Sequence, residues 1–146
     1  FGNSAGGFAA VLYAHGLKAD ATISFSPPVT LNPEEGEERF GDRRARLTAR
    51  RLARNVDFSR FDLKTLMPEM KDTYQLVVYG PGDDCMDHLH SADYQPFENA
   101  DVRWVDGVST HNTLGALAMR ESLIDVFAAV FKPPLADGEA LVTHRA

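Results

Sequence analysis

Gly2-Asn3-Ser4-Ala5-Gly6 has the spacing G-x-S-x-G, in which a serine placed on a sharp turn between strand and helix becomes a nucleophile. The reason is steric: small residues two positions on either side let the turn close and push the hydroxyl outward. The helix that begins behind the serine presents the positive end of its dipole, and the Ala5 N–H is placed to donate to an oxyanion. Alone the pattern says little. With Gly and Ser at about 7% each, chance produces it in roughly one chain in twenty of this length. A glycine-rich helix entry would read the same way. The hydrophobic run that follows at once, and the further glycine Gly7, favour the elbow.

A serine nucleophile needs a base, and His111 is the candidate. It lies in Asp106-Gly107-Val108-Ser109-Thr110-His111-Asn112, after one strand signal and before the last helix signal. In a parallel sheet this is the edge where ligands and reacting groups gather. Histidine changes charge near neutral pH, so it can take a proton and give it back. A carboxylate must then fix the imidazole tautomer. Asp83, Asp84 and Asp87 all follow the clearest strand signal, and the residues alone leave all three open, with turn formation or helix capping as the other use for each.

Two further groups could carry chemistry. Asp83, Asp84, Cys85, Asp87, His88 and His90 include metal-ligand types. On a helix, however, the rings of His88 and His90 point about 200° apart, so no metal site is expected. Arg43, Arg44, Arg46, Arg50, Arg51 and Arg54 could meet an anion, but the acidic run Glu34-Glu35-Gly36-Glu37-Glu38 precedes them and a solvated, charge-balanced helix is the plainer reading.

The elements that must position these residues alternate. Residues 8–14 form an alanine-rich apolar helix that Gly16 should end. Residues 21–26 are a short β-branched strand stopped by Pro27-Pro28. A charged, arginine-rich stretch spans 33–55, and a short helix broken by Pro68 spans 61–70. Residues 74–80 are the clearest strand and 101–105 a weaker one, with a helix start between them. From 113 to 131 Leu114, Leu117, Ala118, Leu123, Val126, Phe127 and Val130 recur at helical spacing, which predicts one long helix. Such alternation predicts an α/β fold, a parallel sheet flanked by helices. Pro133-Pro134 end the pattern, and 133–146 reads as a mobile tail.

Composition narrows the class further. The 146 residues suffice for one domain with a core. A formal charge of −6 speaks against nucleic acid and anionic membranes as partners, and no apolar run reaches the roughly 18 residues of a membrane span. Cys85 is the only cysteine, so no internal disulfide can form; this fits a reducing compartment, and the cytoplasm is the expected one.

From the elbow to the final helix, the chain resembles the C-terminal part of the α/β-hydrolase superfamily, whose triad runs Ser, Asp, His along the chain. The resemblance implies Ser4 as nucleophile, one aspartate of the 83–87 loop as acid, and His111 as base. More loosely, Gly2-Asn3-Ser4-Ala5-Gly6-Gly7-Phe8-Ala9-Ala10, Phe25-Ser26-Pro27 and Asp87-His88-Leu89-His90 are similar to bacterial hydrolase domains associated with surface-polysaccharide assembly. There an aspartate stands three residues before a histidine, which favours Asp87 over Asp83. The implied activity is that of a serine esterase with an acyl-enzyme intermediate, or acyl transfer to a sugar hydroxyl, without a cofactor. The substrate would be a small ester or an acylated glycan, and a non-catalytic binding or assembly module of the same fold is the alternative. Residues 1–132 would form the C-terminal part of the domain, with a cap insertion within 33–70. The strands before the elbow are missing from this chain, which opens on Phe1 and is read as a fragment. A second polypeptide segment is therefore expected to complete the sheet, and the 21–26 strand is expected to have an open edge.

Overall fold

The computed structural model describes residues 1–41, 57–58, 61–81, 87–120 and 122–130. Tyr74–Tyr79, the most continuous apolar run, forms strand β3, and Leu76, Val77, Val78 and Tyr79 have no exposed surface. A strand apolar at consecutive positions must be covered on both faces, which requires a place inside a sheet with helices on either side. β2 (Ala21–Phe25) pairs with it on one side and β4 (Ala100–Trp104) on the other. The two-residue strand β1 (Gly2–Asn3) pairs with β2, and all pairings are parallel, in the order β1-β2-β3-β4. The α/β expectation holds at this level.

Because sheet order follows chain order, every crossover moves in the same direction. Right-handed crossovers then put their helices on one face. This is observed: α1 (Ala5–Leu17), α2 (Pro33–Phe40), α3 (Leu63–Leu66) and α4 (Asp87–Tyr94) supply Phe8, Val11, Ala14, Phe40, Leu63 and Tyr94 to a core that includes Val77 and Tyr79. α5 (Thr113–Met119) and α6 (Leu123–Val130) follow the last strand and cover the other face, where Leu117 and Val126 meet Ile23, Phe25, Leu76 and Val78. The pleat thus sends alternate residues of β3 into separate cores, and Ile23 and Phe25 of β2 into the second. Each fully buried aliphatic or aromatic side chain contributes about 1.5–3 kcal/mol.

Several details differ from the sequence reading. The single helix expected over 113–131 is two. The first ends at Met119, with Arg120 N still donating to Ala116 O while its side chain donates to Asp106 O at 2.7 Å and Gly107 O at 2.6 Å, and Ser122 N reaches Leu117 O at 3.2 Å before the second begins at Leu123. α1 passes Gly16 and ends at Lys18, in the left-handed conformation with φ 51°. The helix predicted over 61–70 is one turn, α3, followed by a 3-10 turn at Met67–Glu69 that contains Pro68. The expected open edge of β2 is partly closed: Gly2 and Asn3 pair with Ser24 and Phe25, Phe25 is fully buried and Ile23 nearly so. The arginine run 43–54 and the tail 133–146 lie outside the described residues.

β4 ends the sheet and carries charges where an open edge would invite pairing. Arg103 Nε donates to both Asp101 oxygens, at 2.9 and 2.8 Å, and the Tyr74 hydroxyl donates to Asp101 Oδ2 at 2.6 Å. Burial opposes the Asp101 charge, but the bonds from Arg103 and Tyr74 outweigh it and hold the carboxyl below its ordinary value. Burial, then the Asp101 bond, push the Tyr74 hydroxyl up to about 12. A depressed carboxyl stabilises the fold above its unfolded pKa, and that stabilisation is lost as pH falls through the folded one. At pH 7 Asp101→Asn is therefore expected to cost about 1 kcal/mol, the group being partly exposed. The gap from wild type should close below about pH 4. Urea unfolding of both proteins at pH 7 and in steps below pH 4.5 checks this, and a gap independent of pH would contradict it.

Candidate functional site

The site begins where β1 becomes α1. Ser4 N still donates to Phe25 O at 2.8 Å, completing the sheet ladder, while Ser4 O already accepts from Phe8 N at 3.1 Å, opening the helix. One residue makes the whole change of direction, at φ 54° and ψ −126°. For a residue with a Cβ this costs of order 1–3 kcal/mol. The hydroxyl makes no capping bond to α1, and no acidic residue stands in the first turn. The positive end of a 13-residue helix, headed by Ala5 N–H, is therefore left uncompensated beside the Ser4 side chain.

The glycines divide differently from the motif's symmetry. A Cβ on Gly2 would lie 2.1 Å from Gly6 O, so this glycine is obligatory. On Gly6 a Cβ would meet nothing within 4 Å, and the tighter position is Gly7, where it would come within 3.1 Å of Pro27 Cβ and 3.2 Å of Gly2 O. The expectation that both motif glycines are needed for closure is thus corrected. The chain passes so close to Gly2 on the far side that the constraint falls there.

His111 stands in the loop between β4 and α5. The loop is bound at both ends: Arg120, from the far end of α5, holds the Asp106 and Gly107 carbonyls, and Thr110 Oγ1 accepts from Asn112 N at 3.2 Å. Asn112 Oδ1 then caps α5 by accepting from Gly115 N at 3.1 Å. Gly80, just past β3, lets the loop in, since a Cβ there would lie 2.7 Å from Val108 Cγ1 and 2.8 Å from Val108 O. Gly80 is a site residue that the motif reading passed over, although a glycine at a strand end is a signal of close backbone approach.

The loop brings His111 Nε2 to 2.7 Å from Ser4 Oγ, across 107 positions of sequence, and His111 Nδ1 to 2.7 Å from Asp87 Oδ1. The serine hydroxyl donates to Nε2 and the Nδ1–H donates to the carboxylate. Asp87 opens α4 and is 2% exposed, while the imidazole faces solvent in part. Its second oxygen, Oδ2, is buried with no hydrogen-bond partner among the described residues. The helix N-terminus favours its negative charge. Ser4, Asp87 and His111 follow β1, β3 and β4 respectively, so all three stand at the carboxyl ends of parallel strands.

α4 is held in place from α2. Arg39 forks onto both oxygens of Asp93 at 2.8 Å, and the Phe40 ring lies 4.0 Å from the His90 ring, whose Nδ1 accepts from Val29 N. Glu35 takes Arg39 at 2.7 Å and Lys64 at 2.8 Å. Burial works against its charge, but these bonds prevail and keep the carboxyl below its usual value. His90 is thus committed to the core and His88 is exposed. Among the described residues no three His, Cys, Asp or Glu side chains stand close enough to hold a metal. Asp83, Asp84 and Cys85 lie outside those residues, so of the candidate acids Asp87 is the one seen at His111. No described helix is long and apolar enough to cross a membrane.

Comparison of the chain with protein-family models, curated proteins and solved structures found no match. The steric asymmetry of the elbow makes a direct test of the turn. Gly2→Ala should destabilise severely, by more than about 3 kcal/mol, because its Cβ would meet backbone rather than a movable side chain. Gly6→Ala should hold or raise the melting temperature, since alanine favours the helix by about 0.5–1 kcal/mol over glycine. Thermal denaturation of the two variants checks this, and equal losses would mean that the turn is not closed in this way.

Proposed function

We propose that the protein is a serine hydrolase of the α/β-hydrolase type, with Ser4 as nucleophile, His111 as base and Asp87 as the acid that orients it. The observation that carries this reading is the unbroken chain of 2.7 Å bonds from Ser4 Oγ through the His111 ring to Asp87, on a serine held in a strained turn at a helix N-terminus. The order Ser, Asp, His and the position of all three beyond strand ends support the same family.

The chemistry follows from the geometry. Ser4 Oγ attacks an ester carbonyl carbon as its proton passes to His111 Nε2, and Asp87 stabilises the imidazolium through Nδ1–H. The carbonyl oxygen becomes an oxyanion, to which Ala5 N–H, at the head of α1, donates. The C–O bond to the leaving group breaks, and that alkoxide takes the proton from Nε2, leaving an acyl-serine. Water, activated by the same imidazole, attacks the acyl carbon and releases the acid. A sugar hydroxyl in place of water would give acyl transfer. Small esters and acylated glycans are the proposed substrates, and a second polypeptide segment at the β1 edge is a proposed partner.

Incubation of the full-length protein with a fluorophosphonate probe should label Ser4, and Ser4→Ala should abolish labelling. Asp87→Asn should slow it by about four orders of magnitude, as when a histidine loses its orienting carboxylate. Asp83→Asn should cost far less. An unlabelled wild-type protein would favour the non-catalytic module over the hydrolase, and a larger loss in Asp83→Asn would move the acid to that residue.

A further inference from the structure

Ser26 and Thr113 are both almost completely buried and share a hydrogen bond of 2.7 Å between their hydroxyls, across 87 positions of sequence. Ser26 directly follows β2 with φ 45°, a left-handed conformation that glycine would adopt without strain. A serine there keeps a backbone strain that glycine would relieve. Thr113 opens α5, two residues after His111, yet its hydroxyl is not the helix cap, because Asn112 already fills that role.

The connections on either side give the pair its meaning. Ser26 N donates to Val78 O at 2.8 Å, and its neighbour Phe25 accepts from Ser4 N at 2.8 Å. Ser26 is therefore fixed to the strand end that also fixes the Ser4 backbone, while its hydroxyl holds the first turn of the helix that follows His111. We propose that the Ser26–Thr113 bond is a cross-tie that sets the height of the His111 imidazole over Ser4 Oγ, making both hydroxyl residues positioning residues. This rests on Ser4 acting as the nucleophile.

A bond that merely satisfied two buried polar groups would be replaceable by apolar groups of the same shape at little cost. The double variant Ser26→Ala/Thr113→Val makes that replacement. Positioning predicts that it keeps its fold while the fluorophosphonate inactivation constant kinact falls roughly ten- to a hundredfold, the range expected when a reacting group is misplaced by up to about 1 Å. The probe's binding constant should stay at the wild-type value. Thr113→Ser, which keeps the hydroxyl, should react at close to the wild-type rate. Should the double variant fail to fold, Ser26→Gly removes the hydroxyl while relieving the φ, and the same fall in kinact is expected. Wild-type kinact in a folded Ser26→Ala/Thr113→Val or Ser26→Gly protein overturns the cross-tie alone, as does a Thr113→Ser protein as slow as the double variant. A wild-type protein that the probe does not label overturns the nucleophile reading and the cross-tie with it.

Discussion

Ser4 must donate a sheet hydrogen bond from its N–H and accept a helix hydrogen bond at its carbonyl, with no residue between the two. This single-residue corner is the constraint on which the site depends. It forces φ to 54°, demands bare backbone at Gly2 and leaves little room at Gly7. It also keeps the serine hydroxyl from capping its own helix. The strain costs of order 1–3 kcal/mol and is sustained by the Phe25 carbonyl on one side and the buried face of α1 on the other.

The same-direction crossovers do the next part of the work. They place α1 and α4 on one face of the sheet and leave α5 and α6 for the other, so the β4–α5 loop must pass over the carboxyl ends of the strands to reach its side. Asp87, at the head of α4, comes up from one face, and His111 arrives with the loop that crosses to the other. The imidazole lies between them and Ser4 because that is where the chain changes sides. Gly80 sets how closely the loop can descend, and Arg120 and Asn112 keep it from spreading.

Polar bonds at a distance from the three side chains fix what the cores alone would leave loose. Apolar packing against α4 tolerates small rotations, whereas the Arg39 fork onto Asp93 and the Val29 bond to His90 are directional. An error at the head of α4 would pass directly to Asp87. The charged pair on β4 has a different task, blunting the sheet's last strand while satisfying its own charges within the edge.

By itself the sequence determined the elements with strong local signatures and the sharp glycine-flanked turn at Ser4. The apolar run of β3, the β-branched β2 and the alternation with helices were legible because burial on two faces leaves a pattern within a few residues. Ser4 was legible because a corner of this kind admits few residue types, and His111 because a loop that follows a parallel strand falls at the carboxyl edge of the sheet. Which aspartate meets the imidazole was open in the residues themselves, since Asp83, Asp84 and Asp87 stand within five positions of sequence after the same strand signal. The break after Met119 was hidden because the apolar spacing continues through it, while the bonds that accompany it at Arg120 go to carbonyls 13 and 14 positions away. The unequal roles of Gly2 and Gly6, the approach at Gly80 and the bond from Ser26 to Thr113 belong to tertiary structure alone. Each depends on backbone or side chains that only folding brings within a few ångströms, and no local pattern records such a meeting.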